Sequence, residues 1–512
     1  MPSSIAQYFT GLDYLLALPV LLLTMFALSI LLLDLMLPPE WKWMNPLTAF
    51  VGVCFATVGV WRIQSWFDAQ GPIMGHYGFM GTILVDRFAL YFFYLFLAGT
   101  AVAILMSARY LEIEHENHGE YYALMLFSVV GMMCMAAGSD IVMIFIGLEL
   151  MAISTYVLVG FLRRDKRSNE AALKYMLLGA FSSGIFAYGL SLFYGVTGTT
   201  NIQVIMQRLA QRVEMNGHHA DPILVVAMLT TSTGLLFKVA AVPFHQWAPD
   251  AYEGAPTSIT GFMSVSVKAA GWAMLLHLFM MMFPLRSIYV PFLVFVSIAT
   301  MTGANFAALT QTNLKRLLAY SSIAHVGYML LGVIAGTRDS FNPDGIKGIL
   351  IYLLVYTFMN LGAFAVITSL RHRNVIGDEI DDIAGLYSRA PVEAVLMLIF
   401  LLSLAGIPPL AGFWGKYFIF LSLVETGHYA LAALGVLYSV FGLYYYLRIA
   451  NAMFMREPLE KEKLPINPAM AVALAVSAVA TLAVGIFPNP MINLVNGVFG
   501  LTQVSSAAHL LR

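Results

Sequence analysis

Charged side chains are scarce in this sequence: 28 acidic and 27 basic residues make up 11% of its 512 positions. A soluble domain carries about 25%. The net charge of −1 points to no charged partner, and we expect no nucleic acid among the partners. The chain is 60% hydrophobic and its mean hydropathy is +0.80. Lipid rather than water is therefore the expected surrounding.

Cysteine is nearly absent as well. Cys54 and Cys134 are the two cysteines, and both lie inside apolar runs. Neither their number nor their spacing supports a disulfide framework, a metal site or an iron–sulfur cluster. The chain also lacks a flavin or NAD fingerprint and a haem ligation pattern. We therefore expect this chain to bind no cofactor or metal and to carry out no redox chemistry itself.

Long apolar runs are what the sequence has in abundance, and crossing a bilayer takes roughly 20 apolar residues. These runs are continuous rather than alternating, which favours helices over barrel strands. They predict an all-α polytopic membrane protein of about fourteen spans. The first run is too long for a signal-peptide core and lacks a positive flank before it, so we interpret it as the first span. The predicted spans are 13–37, 45–62, 87–108, 121–138, 140–162, 170–195, 222–248, 256–283, 288–310, 314–335, 346–370, 392–424, 428–454 and 466–488.

The lysines and arginines outside these spans are more numerous on one side of the membrane, as in the loop with Arg163, Arg164 and Lys166. By the positive-inside rule this side is cytoplasmic, and an even number of spans places both termini outside. The longest exterior segment, 201–220, is a candidate for a short surface helix.

When the lysines and arginines in or beside the loops are set aside, four lysines remain inside the spans, Lys174, Lys238, Lys268 and Lys416, and the carboxylate of Glu149 lies near the middle of the fifth span. Each charge at the bilayer centre costs at least ~2.5 kcal/mol, so these side chains should face the bundle interior. Burial disfavours a charged lysine and a nearby carboxylate favours it, which is what a proton relay requires. We predict that Glu149 pairs with Lys238 or Lys174.

Less specific interpretations of the same residues stay open. Lys174 is close enough to the cytoplasmic end of its span to reach the headgroups. Glu149 and one lysine are also compatible with a purely structural ion pair. His245, His277 and His325 are candidates to extend the relay, although a lone histidine on an apolar helix is more often a hydrogen-bonded core residue.

Prolines interrupt the seventh and twelfth spans at Pro243 and at Pro408–Pro409. A proline inside a helix frees the carbonyl four residues earlier, here those of Val239, Leu404 and Ala405. Freed carbonyls are tolerated at membrane depth only beside protein or water, so each break predicts a hydrated pocket near a lysine.

Because the two broken spans are five apart, they cross the membrane in opposite directions, which indicates two inverted five-helix repeats. The predicted organisation has four parts: N-terminal helices 1–3 (1–120), a first half with helices 4–8 (121–283), an inverted second half with helices 9–13 (288–454) and a C-terminal helix 14 (455–512).

The run from Pro243 to Thr257, PFHQWAPDAYEGAPT, resembles the signature of the antiporter-like subunits of respiratory complex I. The resemblance continues with GLEL at 147–150, Lys174-Tyr175, KRLLAYSS at 315–322 and GIPP at 406–409 through Gly415-Lys416. The family also includes subunits of multisubunit sodium/proton antiporters and of membrane-bound hydrogenases.

Within the family, PDAYEG at 249–254 is more similar to subunit N than to L or M. Subunit M is expected to have glutamate where this chain has Lys416, and subunit L carries a long lateral helix. The related plastid and cyanobacterial version stays open.

The resemblance implies a role for each buried residue. Glu149 and Lys238 would form the glutamate–lysine pair of the first half-channel, and Lys268 would be the central relay residue. Lys416 would end the second half-channel, and Lys174 would be an accessory lysine. The chain would then translocate protons as a membrane subunit of NADH:quinone oxidoreductase, driven by quinone reduction in other subunits.

The resemblance also implies the surroundings. The whole complex would hold NAD, FMN, iron–sulfur clusters and quinone, and would lie in the bacterial inner membrane. The partners would be lipids, the antiporter-like subunit M and the small subunits K, J, A and H.

Two alternatives remain. One is a subunit of a sodium/proton antiporter or hydrogenase-type complex, although sodium coordination would favour more intramembrane carboxylates. The other is a mainly structural subunit, for which four lysines at membrane depth would be expensive.

Overall fold

A computed structural model describes residues 10–71, 75–215, 221–337, 342–371, 378–458 and 467–499. Helices form most of this part of the chain. Their bounds are α1 Gly11–Met36, α2 Met44–Gln70, α3 Arg87–Ile113, α4 Gly119–Ala137, α5 Ile141–Val159, α6 Lys166–Thr197, α7 Ile202–Met215, α8 Pro222–Val239, α9 Trp247–Gly254, α10 Thr257–Phe262, α11 Lys268–Met281, α12 Arg286–Thr310, α13 Leu314–Gly336, α14 Pro343–Ser369, α15 Leu386–Arg389, α16 Pro391–Ala405, α17 Ala411–Glu425, α18 Tyr429–Met455, α19 Pro468–Ile486 and α20 Asn489–Val498.

The predicted all-α membrane architecture is confirmed. Within the described residues, thirteen helical segments are long and apolar enough to span a bilayer. A further predicted span consists of two shorter helices, α16 and α17, of 15 residues each. Together they give the fourteen spans that the sequence predicts.

The helices in the middle of the bundle are buried on all sides, while outer helices keep apolar side chains exposed. Along α10, the π-helical turn Met263–Val267 and α11, nearly every side chain is enclosed by protein. On α6, Leu177 and Phe181 remain exposed. Exposed apolar faces of this kind are stable against lipid and would be unfavourable in water.

Glycines bring neighbouring helices into close contact at two crossings. A Cβ placed on Gly147 of α5 would lie 2.8 Å from the carbonyl oxygen of Gly131 on α4. A Cβ on Gly345 of α14 would lie 2.3 Å from the carbonyl oxygen of Gly332 on α13. Small residues at helix crossings are how membrane bundles gain van der Waals contact without a hydrophobic driving force.

Both predicted helix breaks are present, and they share one backbone arrangement. Helix α8 ends with Ala240 in the left-handed region (φ 63°), and α16 ends with Gly406 there (φ 89°). The N–H of Ala241 donates to the Leu236 carbonyl at 2.8 Å, and the N–H of Ile407 donates to the Leu402 carbonyl at 3.1 Å. This is the six-to-one bond of a Schellman cap.

A cis proline follows each cap, at Val242–Pro243 and at Pro408–Pro409. A second feature also recurs: isolated bridges join the N-cap of α5, Asp140, to Asn201 and the N-cap of α13, Asn313, to Glu379. These correspondences support two related halves. The inverted repeat and the four-part organisation stay predictions.

Three smaller elements lie outside the spans. The surface helix expected within 201–220 is present as α7, with its last five predicted residues outside the described part of the chain. A two-stranded antiparallel hairpin, β1 (Gly75–Gly78) with β2 (Ile83–Asp86), and the helix α20 were not predicted. Strands of four residues give too short a pattern to detect beside long apolar runs.

Candidate functional site

Lys238 lies in the last turn of α8, directly before the first helix break. The residue is 4% exposed. Its Nζ lies 5.8 Å from the centre of the Tyr156 ring and 5.9 Å from that of Tyr175. Aromatic faces and the C-terminal end of a helix both attract a cation. The break therefore creates a buried position at which a lysine charge is stabilised without a contact ion pair.

Glu149, on α5, is near this lysine but not in contact with it. It acts electrostatically on both Lys238 and Tyr156. Among the described residues, no hydrogen-bond donor reaches its buried Oε1, and no ion pair within 4.0 Å joins it to a lysine. The predicted pairing of Glu149 with Lys238 is therefore a separated one in this structure.

Lys174 lies elsewhere, toward the N-terminal rim of α6. Its Nζ is 2.8 Å from Glu170 and 3.0 Å from Asp250, and its side chain is 46% exposed. The alternative pairing of Glu149 with Lys174 does not form, because two carboxylates at the rim bind this ammonium instead. Its role in the relay stays a prediction.

Lys268 is the central buried lysine and follows the π-helical turn Met263–Val267. It is 3% exposed. Its Nζ donates to the carbonyl of Ser322 on α13 at 3.1 Å and also contacts the Ser322 hydroxyl. The hydroxyl of Tyr356 on α14 donates to Ser322 Oγ at 2.9 Å. Lys268 is thus connected to two further helices through hydroxyl groups.

His325 lies one turn after Ser322 on α13 and is enclosed by the bundle. Its Nε2 lies 3.1 Å from the hydroxyl of Tyr446, and its Nδ1 is hydrogen-bonded to the hydroxyl of Tyr352. A neutral imidazole donates through one nitrogen and accepts through the other, and a phenol can do either. Lys268 binds Ser322 one turn before His325 on α13, and the Nζ of Lys416 lies 5.1 Å from the centre of the Tyr328 ring one turn after it, so the histidine lies between the two contacts.

Lys416 is on α17, beyond the second break, and is 7% exposed. Its Nζ donates to the carbonyl of Ala405 at 2.8 Å and lies 5.1 Å from the centre of the Tyr328 ring. The Ala405 carbonyl is one of those that the proline pattern predicts to be free. The lysine therefore satisfies the backbone group that the break exposes.

The remaining histidines occupy different places. His245 lies in the segment between α8 and α9, and its buried Nδ1 has no hydrogen-bond partner in the described part of the chain. His277 is on α11, with its ring centre 4.9 Å from that of Phe88. Of the three histidines, His325 is the one placed between two buried lysines.

The sequence reasoning missed the polar groups that surround Lys268 and His325. Ser322, Tyr446 and a row on α14 consisting of Tyr352, Tyr356 and Asn360 carry the contacts. The row has a spacing of four residues, which places its members on one helix face. That spacing is visible in the sequence and would have predicted a polar face on an apolar helix.

A polar cavity of about 190 Å³ lies where α9 and α10 meet the start of α13. Lys315, Arg371 and Asp378 are among its lining residues. Burial raises the pKa of Asp378, while the nearby charges of Lys315 and Arg371 oppose that effect. Thr257, at the start of α10, also lines the cavity, so the helical segment leading to Lys268 begins at this polar cavity.

No group of three or more His, Cys, Asp or Glu side chains that could hold a metal ion occurs within the described ranges.

Comparison with known proteins identifies the family. A family model described as "NADH:quinone oxidoreductase/Mrp antiporter, TM" matches residues 138–442. The subunit N 1 of NADH-quinone oxidoreductase from Koribacter versatilis is 63% identical over 100% of both chains. A subunit N 2 from Solibacter usitatus is 50% identical over 95% of this chain and 97% of the relative.

Solved structures agree with these relatives. A chain of respiratory complex I from Thermus thermophilus is 30% identical, with a TM-score of 0.76 over 93% of this chain and 98% of that chain. A chain of an archaeal membrane-bound sulfane sulfur reductase is 26% identical, with a TM-score of 0.82 over 96% and 98% of the two chains. The chain is therefore a multi-pass membrane protein that belongs to the subunit N family of NADH-quinone oxidoreductase, among the antiporter-like subunits of multisubunit complexes.

Proposed function

We propose that this chain conducts protons from the cytoplasm to the exterior along its buried lysines. The observation that carries the proposal is the position of His325. Its two ring nitrogens contact the hydroxyls of Tyr352 and Tyr446, and on α13 it lies between Ser322, which Lys268 binds, and Tyr328, which Lys416 contacts. An imidazole with such partners on both sides can accept a proton at one nitrogen and release another at the second.

The first half supplies the proton to this centre. The side chain of Lys238 packs against α11: a Cβ on Gly271 would lie 3.6 Å from Lys238 Cγ. Gly271 is within one turn of Lys268 on the same helix. Lys238 is therefore the buried lysine next to Lys268 on the side of Glu149, and the carboxylate of Glu149 stabilises its charged form.

The energy for this movement comes from quinone reduction in other subunits, and this chain contributes no redox chemistry. The names of the relatives support membership of NADH-quinone oxidoreductase. On this proposal NAD, FMN, iron–sulfur clusters and quinone are bound by the rest of the complex. The neighbours are subunits M, K, J, A and H, the exposed apolar faces contact lipid, and the site of action is the bacterial inner membrane.

The second candidate function is sodium/proton antiport, because the family description also names an antiporter. Sodium sites favour carboxylate and carbonyl oxygens. Among the described residues of the relay, Glu149 is the one carboxylate, and the other members are lysines and a histidine. The side-chain chemistry therefore favours protons over sodium ions.

The test is proton pumping by the intact complex in sealed vesicles, comparing Lys238→Ala with wild type. We expect pumping to fall at least about tenfold while the assembled complex is retained, because a required charge carrier is removed. Lys347→Ala is a suitable control, since Lys347 lies outside the relay in an ion pair with Asp344 at 2.7 Å. Wild-type pumping by Lys238→Ala would contradict the proposal, and pumping that requires sodium would favour antiport.

A further inference from the structure

We propose that Lys174 is a positioning residue that holds an aromatic lid over Lys238 and carries no proton itself. The proposal rests on the proton relay proposed above and defines how its cytoplasmic end is closed. It differs from the accessory relay role that the sequence suggests for this lysine. The structure supports it through one ion network and one aromatic stack.

The ion network joins three helices at the carboxylate of Asp250 on α9. Lys174 of α6 lies 3.0 Å from Asp250 Oδ2, and Arg316 of α13 lies 2.7 Å from Asp250 Oδ1. Arg316 also binds Glu253, one turn later on α9, at 2.9 Å. Because α6 and α13 belong to different predicted halves, α9 is held between them by charges on both sides.

The junction after α9 is fixed as well. Lys315, next to Arg316, donates to the carbonyl of Ala255 at 2.8 Å. A Cβ on Gly254 would lie 2.4 Å from the Cβ of Ala171 on α6, so α9 ends in direct contact with that helix. Because α9 has only eight residues, a shift at one of its ends relative to α6 should move the whole helix.

The aromatic lid consists of Tyr175 and Trp247. Tyr175 follows Lys174 on α6, Trp247 begins α9, and their rings stack with centres 4.4 Å apart. The indole N–H of Trp247 donates to the carbonyl of Phe237 at 2.8 Å, and the Tyr175 ring lies 5.9 Å from Lys238 Nζ. The lid therefore covers Lys238 on the side of α9.

The ion pair and the lid connect the same two helices. Lys174 and Tyr175 are adjacent on α6, and Trp247 and Asp250 are three residues apart on α9. The Lys174–Asp250 contact thus fixes the relative position at which the two rings stack. Breaking it should loosen the lid without removing any group that contacts Lys238.

The surroundings of Lys174 do not resemble those of the buried lysines. Lys268 and Lys416 are enclosed and hydrogen-bonded to neutral oxygen atoms, whereas Lys174 is 46% exposed and bound by two carboxylates. Two carboxylates stabilise its charged form, which suits a permanent ion pair. A relay lysine must lose its proton in each cycle.

Arginine distinguishes the two roles, because it keeps its charge under all physiological conditions and cannot act as a relay. The experiment compares Lys174→Arg, Lys174→Gln and Asp250→Asn in the intact complex. Two readouts are measured: proton pumping in vesicles, and hydrogen exchange of the α9 amides. Asp250→Asn removes the same ion pair from the other side, together with the Arg316–Asp250 pair, with almost no change in side-chain volume.

We expect Lys174→Arg to pump within about twofold of wild type, with unchanged α9 exchange, because the charge that binds Asp250 is retained. Lys174→Gln and Asp250→Asn should both lower pumping by about three- to fivefold and show faster α9 exchange by a similar factor, the upper part of the range expected for partly exposed ion pairs.

Two results would overturn the proposal. If Lys174→Arg loses pumping as severely as Lys174→Gln while α9 exchange stays at the wild-type rate, Lys174 carries protons. If Lys174→Gln or Asp250→Asn keeps wild-type pumping and exchange, the ion pair does not hold the lid.

Lys238→Arg separates this proposal from the proposed function. A relay lysine replaced by arginine should lose pumping even though its charge is retained. If Lys238→Arg pumps normally, the relay itself is wrong, whatever the Lys174 variants show.

Discussion

The two helix breaks have the same backbone conformation, but the lysines beside them make different contacts. In the first break, the carbonyl of Phe237 accepts from the neutral indole of Trp247, and the ammonium of Lys238 lies beside two tyrosine rings. In the second break, the carbonyl of Ala405 accepts from the ammonium of Lys416 itself. The two carbonyls differ in position, because Phe237 corresponds to Ser403 and Val239 to Ala405 when the breaks are aligned at Ala240 and Gly406. Each break therefore uses a different side chain to bind a different carbonyl.

The difference concerns two roles of a buried lysine: hydrogen bonding to a backbone carbonyl and carrying a proton. Among the described residues, Lys238 donates no hydrogen bond to a backbone carbonyl of its break. Its interaction with Glu149 can therefore change without altering the C-terminal end of α8. Lys416 both satisfies a carbonyl and ends the proposed relay. Because a neutral amine still has N–H groups to donate, Lys416 can lose a proton and keep this contact.

The largest effect should come from Lys416→Ala. We expect pumping to be lost, and the α16 end to be destabilised by about 1–3 kcal/mol because the Ala405 carbonyl loses its donor. Lys416→Arg should lose pumping while retaining a donor near that carbonyl. Pumping in vesicles and thermal unfolding of the purified complex measure the two effects. Equal loss of stability in both variants would show that the carbonyl contact contributes little.

Trp247→Phe should have a smaller effect in the first break. Phenylalanine keeps an aromatic ring against Tyr175 but cannot donate a hydrogen bond to the Phe237 carbonyl. We therefore expect the stability of the C-terminal end of α8 to fall by about 1 kcal/mol. Pumping should fall only a few-fold, because Lys238 remains. Amide exchange in the last turn of α8 measures the change, and exchange at the wild-type rate would indicate that the indole N–H is dispensable.

The smallest effects should come from exchanging the cap residues. Gly406→Ala places a Cβ 2.9 Å from Lys416 Cδ at a φ of 89°, so we expect a loss of about 1–2 kcal/mol. In the first break, Ala240 has a φ of 63°, a conformation that glycine adopts more readily than alanine. Ala240→Gly should therefore stabilise the C-terminal end of α8 by up to about 1 kcal/mol. Thermal unfolding of the two variants should shift in opposite directions, and a shift in the same direction would contradict this comparison.

Much of the architecture could be predicted because its causes are local. Runs of apolar residues define the spans, and Pro243 and Pro409 define where two of them break. The depth of Lys238, Lys268 and Lys416 follows from their positions in those runs. The carbonyl of Ala405, which Lys416 binds, is one of the three that the proline positions predict to be free, although the contact with Lys416 itself was not predicted.

Contacts between distant segments could not be predicted in the same way. The binding of Lys174 by Asp250 rather than Glu149 depends on how α6 packs against α9, which no local pattern encodes. The separation of Glu149 from Lys238 has the same origin. The roles of the Ser322 and Tyr446 hydroxyls could not be predicted from the sequence, because single serines and tyrosines are common in membrane helices.

The hydrogen bonds of His325 have a consequence for the direction of transport. Both partners of its ring are phenol hydroxyls, and each can serve as donor or acceptor. Reversing every hydrogen bond in this segment would leave the same atoms in the same places. The middle of the relay therefore has no built-in polarity: the conditions at its two ends determine which way charge flows, and a sufficiently large opposing gradient would drive it backwards through the same residues.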